Sequence, residues 1–396
     1  MQTNTERPAP ALAEVQALTR RALIPGLDGI RAVAVLVVML GHYGLGRIVP
    51  GGLGVTIFFF LSGFLITTLL LRESGGSGRI DLRNFYIRRF LRLAPELTVF
   101  VLFTGAVALA LGQTMRPAEL LAALLYFTNY YHLAQGMCIE TCADWHSLWS
   151  LAVEEHFYLV FPLVLILSGT ASRRLLLILS AVLVISPLWR AAVEASGRFD
   201  PEWTYKASDA RLDSIAYGAW LAVVFARFPG WLVRARDRGV PLLALAALLV
   251  LLSLTIRDPM FRATLRYTLQ GLALGLVFVV LYASTLGAPL LAALERRPLR
   301  WIGQMSYGAY LWHFVPLSAG LYLMDARQAY ALSGTQTLAM CLGGTAATLG
   351  LAWLSQTLVA RPVLGLRHRF GPRPPGRRTL AARAPRLADA GEVLGR

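Results

Sequence analysis

The chain has 396 residues, of which 56% are hydrophobic and only 15% charged, and its mean hydropathy is +0.56. Soluble chains are nearer a quarter charged, so this balance excludes an ordinary soluble protein and leaves an all-α, polytopic membrane protein. The net charge of +16 is assigned to cytoplasmic loops, where basic residues gather in membrane proteins, and not to a nucleic-acid surface.

Residues 1–24 carry charges and prolines before any apolar run. They are expected to form a cytoplasmic segment without a cleavable leader, the first apolar helix acting as a signal-anchor. Apolar segments follow near 28–47, 52–71, 96–112, 118–134, 150–168, 174–189, 211–228, 240–256, 267–286, 303–323 and 337–358. Each approaches the ~20 residues a helix needs to cross a bilayer. The 118–134 segment ends in polar and aromatic residues. Leaving it out as a full span puts the arginine-rich segments at 72–95, 173–174, 225–239, 295–300 and beyond 361 on one side. That side is then cytoplasmic, with both termini, and about ten spans remain in an inner cell membrane. The expected organisation is 1–24 cytoplasmic, 25–363 membrane domain and 364–396 a basic Pro/Arg-rich tail. Cys138 and Cys142 share the polar loop MCIETCADW, which falls outside; a disulfide is expected there in preference to a metal site. No metal is expected in the chemistry, and the oligomeric state is left open.

Several polar residues stand where lipid contact would be costly. In RAVAVLVVMLGH, Arg31 and His42 are eleven residues apart, about three helical turns, and so share one helix face about 16 Å apart. In HSLWSLAVEEHFYLVFP, Ser150, Glu154 and Tyr158 recur every four residues and form one stripe. Arg211 and Asp213 are two apart and should have different partners. His313 follows Tyr307 and Tyr310 at three-residue steps. The segment DLRNFYIRRFLRLAPEL, read as a loop, holds Arg83, Arg88, Arg89 and Arg92 beside Phe85, Tyr86 and Phe90. Guanidinium forks match phosphate geometry, so this cluster suits a nucleotide-type ligand.

Taken together, IPGLDGIRAVAVLVVMLGH, GGLGVTIFFFLSGFLIT, FYIRRFLRLAP, HSLWSLAVEEHFYLVFP, RLDSIAYG and IGQMSYGAYLWHFVPL resemble, in order, the acyltransferase-3 family of integral-membrane O-acyltransferases. Arg31 and His42 match its Arg-ten-residues-His signature, and Arg89 and Arg92 its RxxR pattern. Trp149, Ser150, Leu151, Glu154, Phe157 and Tyr158 match WSLxxExxFY. Ala360 stands where many relatives have an acidic residue before Arg361–Pro362. The resemblance implies transfer of an acyl group, often acetyl from acetyl-CoA, to a hydroxyl of a glycan, glycolipid or other lipid-linked acceptor within a lipid bilayer. On this reading His42 is the general base and Arg31 holds anionic donor groups or developing charge. Arg88, Arg89 and Arg92 grip donor phosphates, and Glu154 orients His42 or another cation. Ser150, Tyr158, Arg211, Asp213 and His313 line the path. The alternatives are a macrolide-type small-molecule acceptor or a membrane transporter, which buried charges on about ten spans would also suit.

Overall fold

A computed structural model describes residues 24–135 and 145–367. The Cys138–Cys142 loop, the first 23 residues and the tail from 368 lie outside the described residues. The protein is an all-α membrane protein whose main helices are α1 (Leu27–Leu40), α2 (Gly51–Ser77), α3 (Leu82–Ala110), α4 (Leu148–Ser168), α5 (Arg173–Ser196), α6 (Ser208–Arg227), α7 (Gly239–Thr255), α8 (Leu265–Ala283), α9 (Ser306–Trp312), α10 (Phe314–Leu323) and α11 (Thr345–Ser355).

Among the described residues, seven helices are long and apolar enough to cross a membrane, against the ten spans expected. The other three segments depart for separate reasons. Helix α6 has 20 residues but carries Asp209, Arg211, Asp213 and Arg227. Helix α7 has only 17 residues. The 303–323 segment is not one helix: it breaks at Met305 and again at His313. Pro316 lacks the N–H that would bond the carbonyl four residues back, which favours the second break.

The 118–134 segment also differs from a single helix. It forms Pro117–Leu124 and Thr128–Gln135, eight residues each, with Tyr126 at φ 57° between them. Each is about 12 Å long, too short to cross. The expected loop at 72–95 is corrected as well. Helix α2 runs on to Ser77 and α3 begins at Leu82, so the arginines sit on the first turns of a long helix. Asp81 starts that helix by accepting the Asn84 N–H at 3.0 Å, satisfying one of the free donors of the first turn.

Helices α2 and α6 pack with their backbones in contact. A Cβ on Gly63 would strike the Ile215 carbonyl, and one on Gly218 the Phe60 carbonyl. Small residues permit this approach, and close packing is what holds helices together where both solvent and side chains are apolar. The ends of the bundle sort into two groups. At one, the Gly26 N–H donates to Glu295 at 2.5 Å, the Tyr282 hydroxyl to the Pro25 carbonyl at 2.8 Å, Arg227 to the Ala171 carbonyl at 3.2 Å and the Thr285 N–H to the Arg236 carbonyl at 3.0 Å. At the other, residues 46–53 meet the 201–205 and 256–267 segments around a common cavity. Arg31 lies toward the first end and His42 toward the second.

Candidate active site

Two overlapping cavities and a separate third lie in the bundle. At the Arg31 end a vestibule of about 460 Å³ is lined by Arg31, Arg92 and Arg361 together with Asp28 and Glu96. It shares Arg31, Arg92, Ser306 and Tyr307 with a narrow slot of about 90 Å³ between α1, α2, α3, α4 and α9. The third, of about 610 Å³, opens at the His42 end.

The slot gathers the α4 stripe. Ser150, Glu154 and Tyr158 all line it, as their spacing predicts, beside Ser62 of α2 and Arg89 and Arg92 of α3. The Arg89 guanidinium lies 3.0 Å from the Tyr158 ring centroid and donates from Nε to Glu155 at 3.0 Å. Tyr158 donates to Glu154 at 3.2 Å. Arg89 is therefore built into the wall, while Arg31, bonded to Asp28 at 3.0 Å one turn away, stands at the mouth. Arg88 is not in this wall: it pairs with Glu73 at 2.9 Å.

At the inner end of the slot the Ser150 hydroxyl meets the Tyr310 hydroxyl at 2.6 Å. Tyr310 leads directly to the histidines. Its carbonyl lies 2.7 Å from His313 Nδ1, and His313 Nε2 lies 3.2 Å from His42 Nδ1. A carbonyl only accepts, so His313 carries its proton on Nδ1. In a neutral ring its Nε2 then accepts, and His42 must donate from Nδ1. His42 Nε2 is left with its lone pair, the form a base requires. The ring that meets His42 is His313, while Glu154, expected to orient His42 or another cation, accepts from Tyr158 in the slot wall.

Local backbone sets this pair up. Residues Gly41–Leu45 leave α1 as a π-helical turn, with Gly44 at φ 102°. Such turns widen a helix by one residue and occur often at functional sites. Tyr43, fully buried inside the turn, donates to the His313 carbonyl at 2.9 Å and meets Thr348 at 2.6 Å, fixing the two histidine-bearing segments to each other.

The main partners of Arg211 and Asp213 differ, as expected, although Ser214 bonds both. Asp213 accepts from Arg190 at 2.7 and 2.9 Å, both side chains fully buried. Arg211, also fully buried, stacks 3.9 Å from the Tyr267 ring centroid and lies within about 6 Å of the Tyr205, Phe59 and Trp149 rings. Its donors go to the Tyr205 carbonyl, Thr56 and Ser214. Phe59 lines the slot, and Tyr205 and Tyr267 line the third cavity. Arg211 therefore stands in the partition between them, lining neither.

A family model described as an acyltransferase domain, Acyl_transf_3, matches residues 24–356. The chain belongs to the acyltransferase-3 family. It is 33% identical over 317 residues to "Putative O-acetyltransferase SACOL0978" of Staphylococcus aureus (strain COL), covering 74% of this chain and 51% of that protein. It is 30% identical over 311 residues to "Putative peptidoglycan O-acetyltransferase YrhL" of Bacillus subtilis (strain 168), with 74% and 48% covered. It is 31% identical over 314 residues to "Peptidoglycan O-acetyltransferase OatA" of Listeria monocytogenes, with 74% and 49% covered. The chain thus spans about half the length of these curated relatives. No solved structure matches it.

Of the family signature, Arg31 lines the vestibule and the slot, whereas His42 lines none of the three cavities and is reached from the slot wall only through Tyr310 and His313. Sequence reasoning did not single out Tyr43, Ser62 or Arg190. Arg190 had a readable signal, an arginine inside the apolar run LVISPLWRAAV. Tyr43 and Ser62 had none, because an isolated hydroxyl in an apolar helix is common.

Proposed function

We propose that this chain is a membrane O-acyltransferase that moves an acetyl group from acetyl-CoA to a hydroxyl of a cell-surface glycan. The observation that carries this reading is the series of an arginine-lined vestibule, a narrow slot and a histidine pair. The slot, at about 90 Å³ against about 460 and 610 Å³, is the narrowest of the three cavities and suits the thin thioester arm better than the nucleotide. The donor's phosphates would rest in the vestibule on Arg31, Arg92 and Arg361, with the thioester arm directed toward Ser150 and Tyr310. The vestibule end is then cytoplasmic, which places both termini and the basic loops there. Residues 25–363 form the catalytic membrane domain, in the cell membrane.

The acceptor hydroxyl gives its proton to His42 Nε2 as its oxygen attacks the thioester carbonyl. The C–S bond breaks, the thiolate takes that proton from the imidazolium, and the products are the acetyl ester and free CoA. A positioned base of this kind contributes about 10²–10⁴-fold. His313 holds the His42 tautomer and accepts from its Nδ1–H throughout. The peptidoglycan O-acetyltransferase among the relatives supports a peptidoglycan-type acceptor.

The test uses the full chain in sealed vesicles, with acetyl-labelled CoA outside and peptidoglycan fragments inside, and with the reverse arrangement. Label in the glycan with matching CoA release is expected. Label crossing the membrane without CoA release would mean a transporter.

A further inference from the structure

The outer cavity contains chemistry that acyl transfer by itself does not need. Arg47, Arg257, Arg262 and Arg266 line it, against Glu194 and Glu202. Glu202 is already bonded to Lys206 at 2.5 Å. Among the described residues none of the four arginines is in an ion pair. A fifth guanidinium, Arg211, lies under the floor behind Tyr267 and adds to the positive potential. Basic clusters on the outer side also run against the usual charge bias of membrane proteins, in which such residues collect inside.

Arg266 donates to the Tyr267 hydroxyl at 2.7 Å, which fixes its guanidinium at the cavity wall. At about 610 Å³ the cavity is within the usual range of small-molecule sites. Its rim is the 46–53 segment, which directly follows the His42 turn.

We propose that this cavity binds the acceptor and selects a glycan carrying an anionic group, a carboxylate or phosphate, beside its free hydroxyls. Calling the ligand an acceptor rests on the acyl-transfer reading; the selection for negative charge does not. Arg257, Arg262 and Arg266 take the oxyanion.

Binding of two probes to the full chain in phosphatidylcholine nanodiscs tests this. Hyaluronan tetrasaccharide carries carboxylates; chitotetraose shares its N-acetylglucosamine units and is neutral. The charged probe is expected to bind at least about tenfold tighter, the scale of one charge-assisted hydrogen bond. The preference should shrink as salt is raised. It should disappear in Arg257→Gln/Arg262→Gln/Arg266→Gln protein of unaltered melting temperature and return with lysine at the three positions. Equal binding of the two probes to wild type needs no variant and would overturn the proposal. So would loss of the charged probe when phosphatidylglycerol is added to the discs, because the site would then belong to lipid headgroups. CoA release is measured on the same preparation: charge selection without acetyl-CoA turnover would remove the acyl-transfer reading and leave the anion site standing.

Discussion

Replacing His313 with Phe separates orientation of the base from binding of the donor. The ring volume is roughly kept, and Phe314 and Tyr310 still pack against the site. What is lost is the 3.2 Å contact from His42 Nδ1 to His313 Nε2. In the resting enzyme that bond fixes a tautomer; in the transition state it faces an imidazolium. Hydrogen bonds to charged groups are worth about 1.5–3 kcal/mol. Removing one that matters most in the transition state lowers kcat by roughly 10- to 150-fold. Arg31 and Arg92 are untouched at the vestibule, so KM for acetyl-CoA should not move. Initial rates of CoA release at saturating acceptor provide both parameters. An unchanged kcat, or a change confined to KM, would refute the role given to His313. The same variant strips the Tyr310 carbonyl of its imidazole donor, so a modest fall in melting temperature is expected and does not count against the argument.

Tyr43→Phe should lower kcat through the same pair, since the hydroxyl that ties the π-helical turn to the His313 carbonyl and Thr348 is removed; the stability loss expected is about 1–3 kcal/mol, read by thermal unfolding in detergent. Arg190→Met leaves Asp213 buried without its cation and should cost about 3–5 kcal/mol, whereas Arg190→Met with Asp213→Leu should recover most of it. An equally unstable double variant would show that the pair does more than satisfy itself. Gly218→Ala drives a methyl into the Phe60 carbonyl and should destabilise the α2–α6 contact severely, while Gly350→Ala, where a Cβ meets nothing within 4 Å, should be silent in the same melt. Arg92→Ala should raise KM for acetyl-CoA with little change in kcat, as the residue lines both vestibule and slot.

Much of this site was readable because helices convert spacing into direction. Ser150, Glu154 and Tyr158 at four-residue steps had to share a face, and all three do line the slot. Arg211 and Asp213, two apart, had to diverge, and do. The rule that placed Arg31 and His42 on one face assumes a regular helix, and the backbone departs from helical angles only at Tyr43 and Gly44, after His42. Expecting a loop at 72–95 failed because charge density was weighed as a chain break, although Asp81 caps a helix that runs on through Pro95. Pairings across the bundle, such as His42 with His313 or Arg190 with Asp213, depend on tertiary packing and leave no local trace. The outer arginines were invisible as a group because Arg47 is separated from Arg257, Arg262 and Arg266 by most of the chain.

Single-turnover release of CoA by wild-type and His42→Ala protein, at matched melting temperature and with peptidoglycan fragments as acceptor, bears most directly on the central claim. The account predicts a loss of about 10²–10⁴-fold in the variant, with acetyl-CoA still bound. Release from the folded variant at the wild-type rate would contradict it and remove His42 as the base.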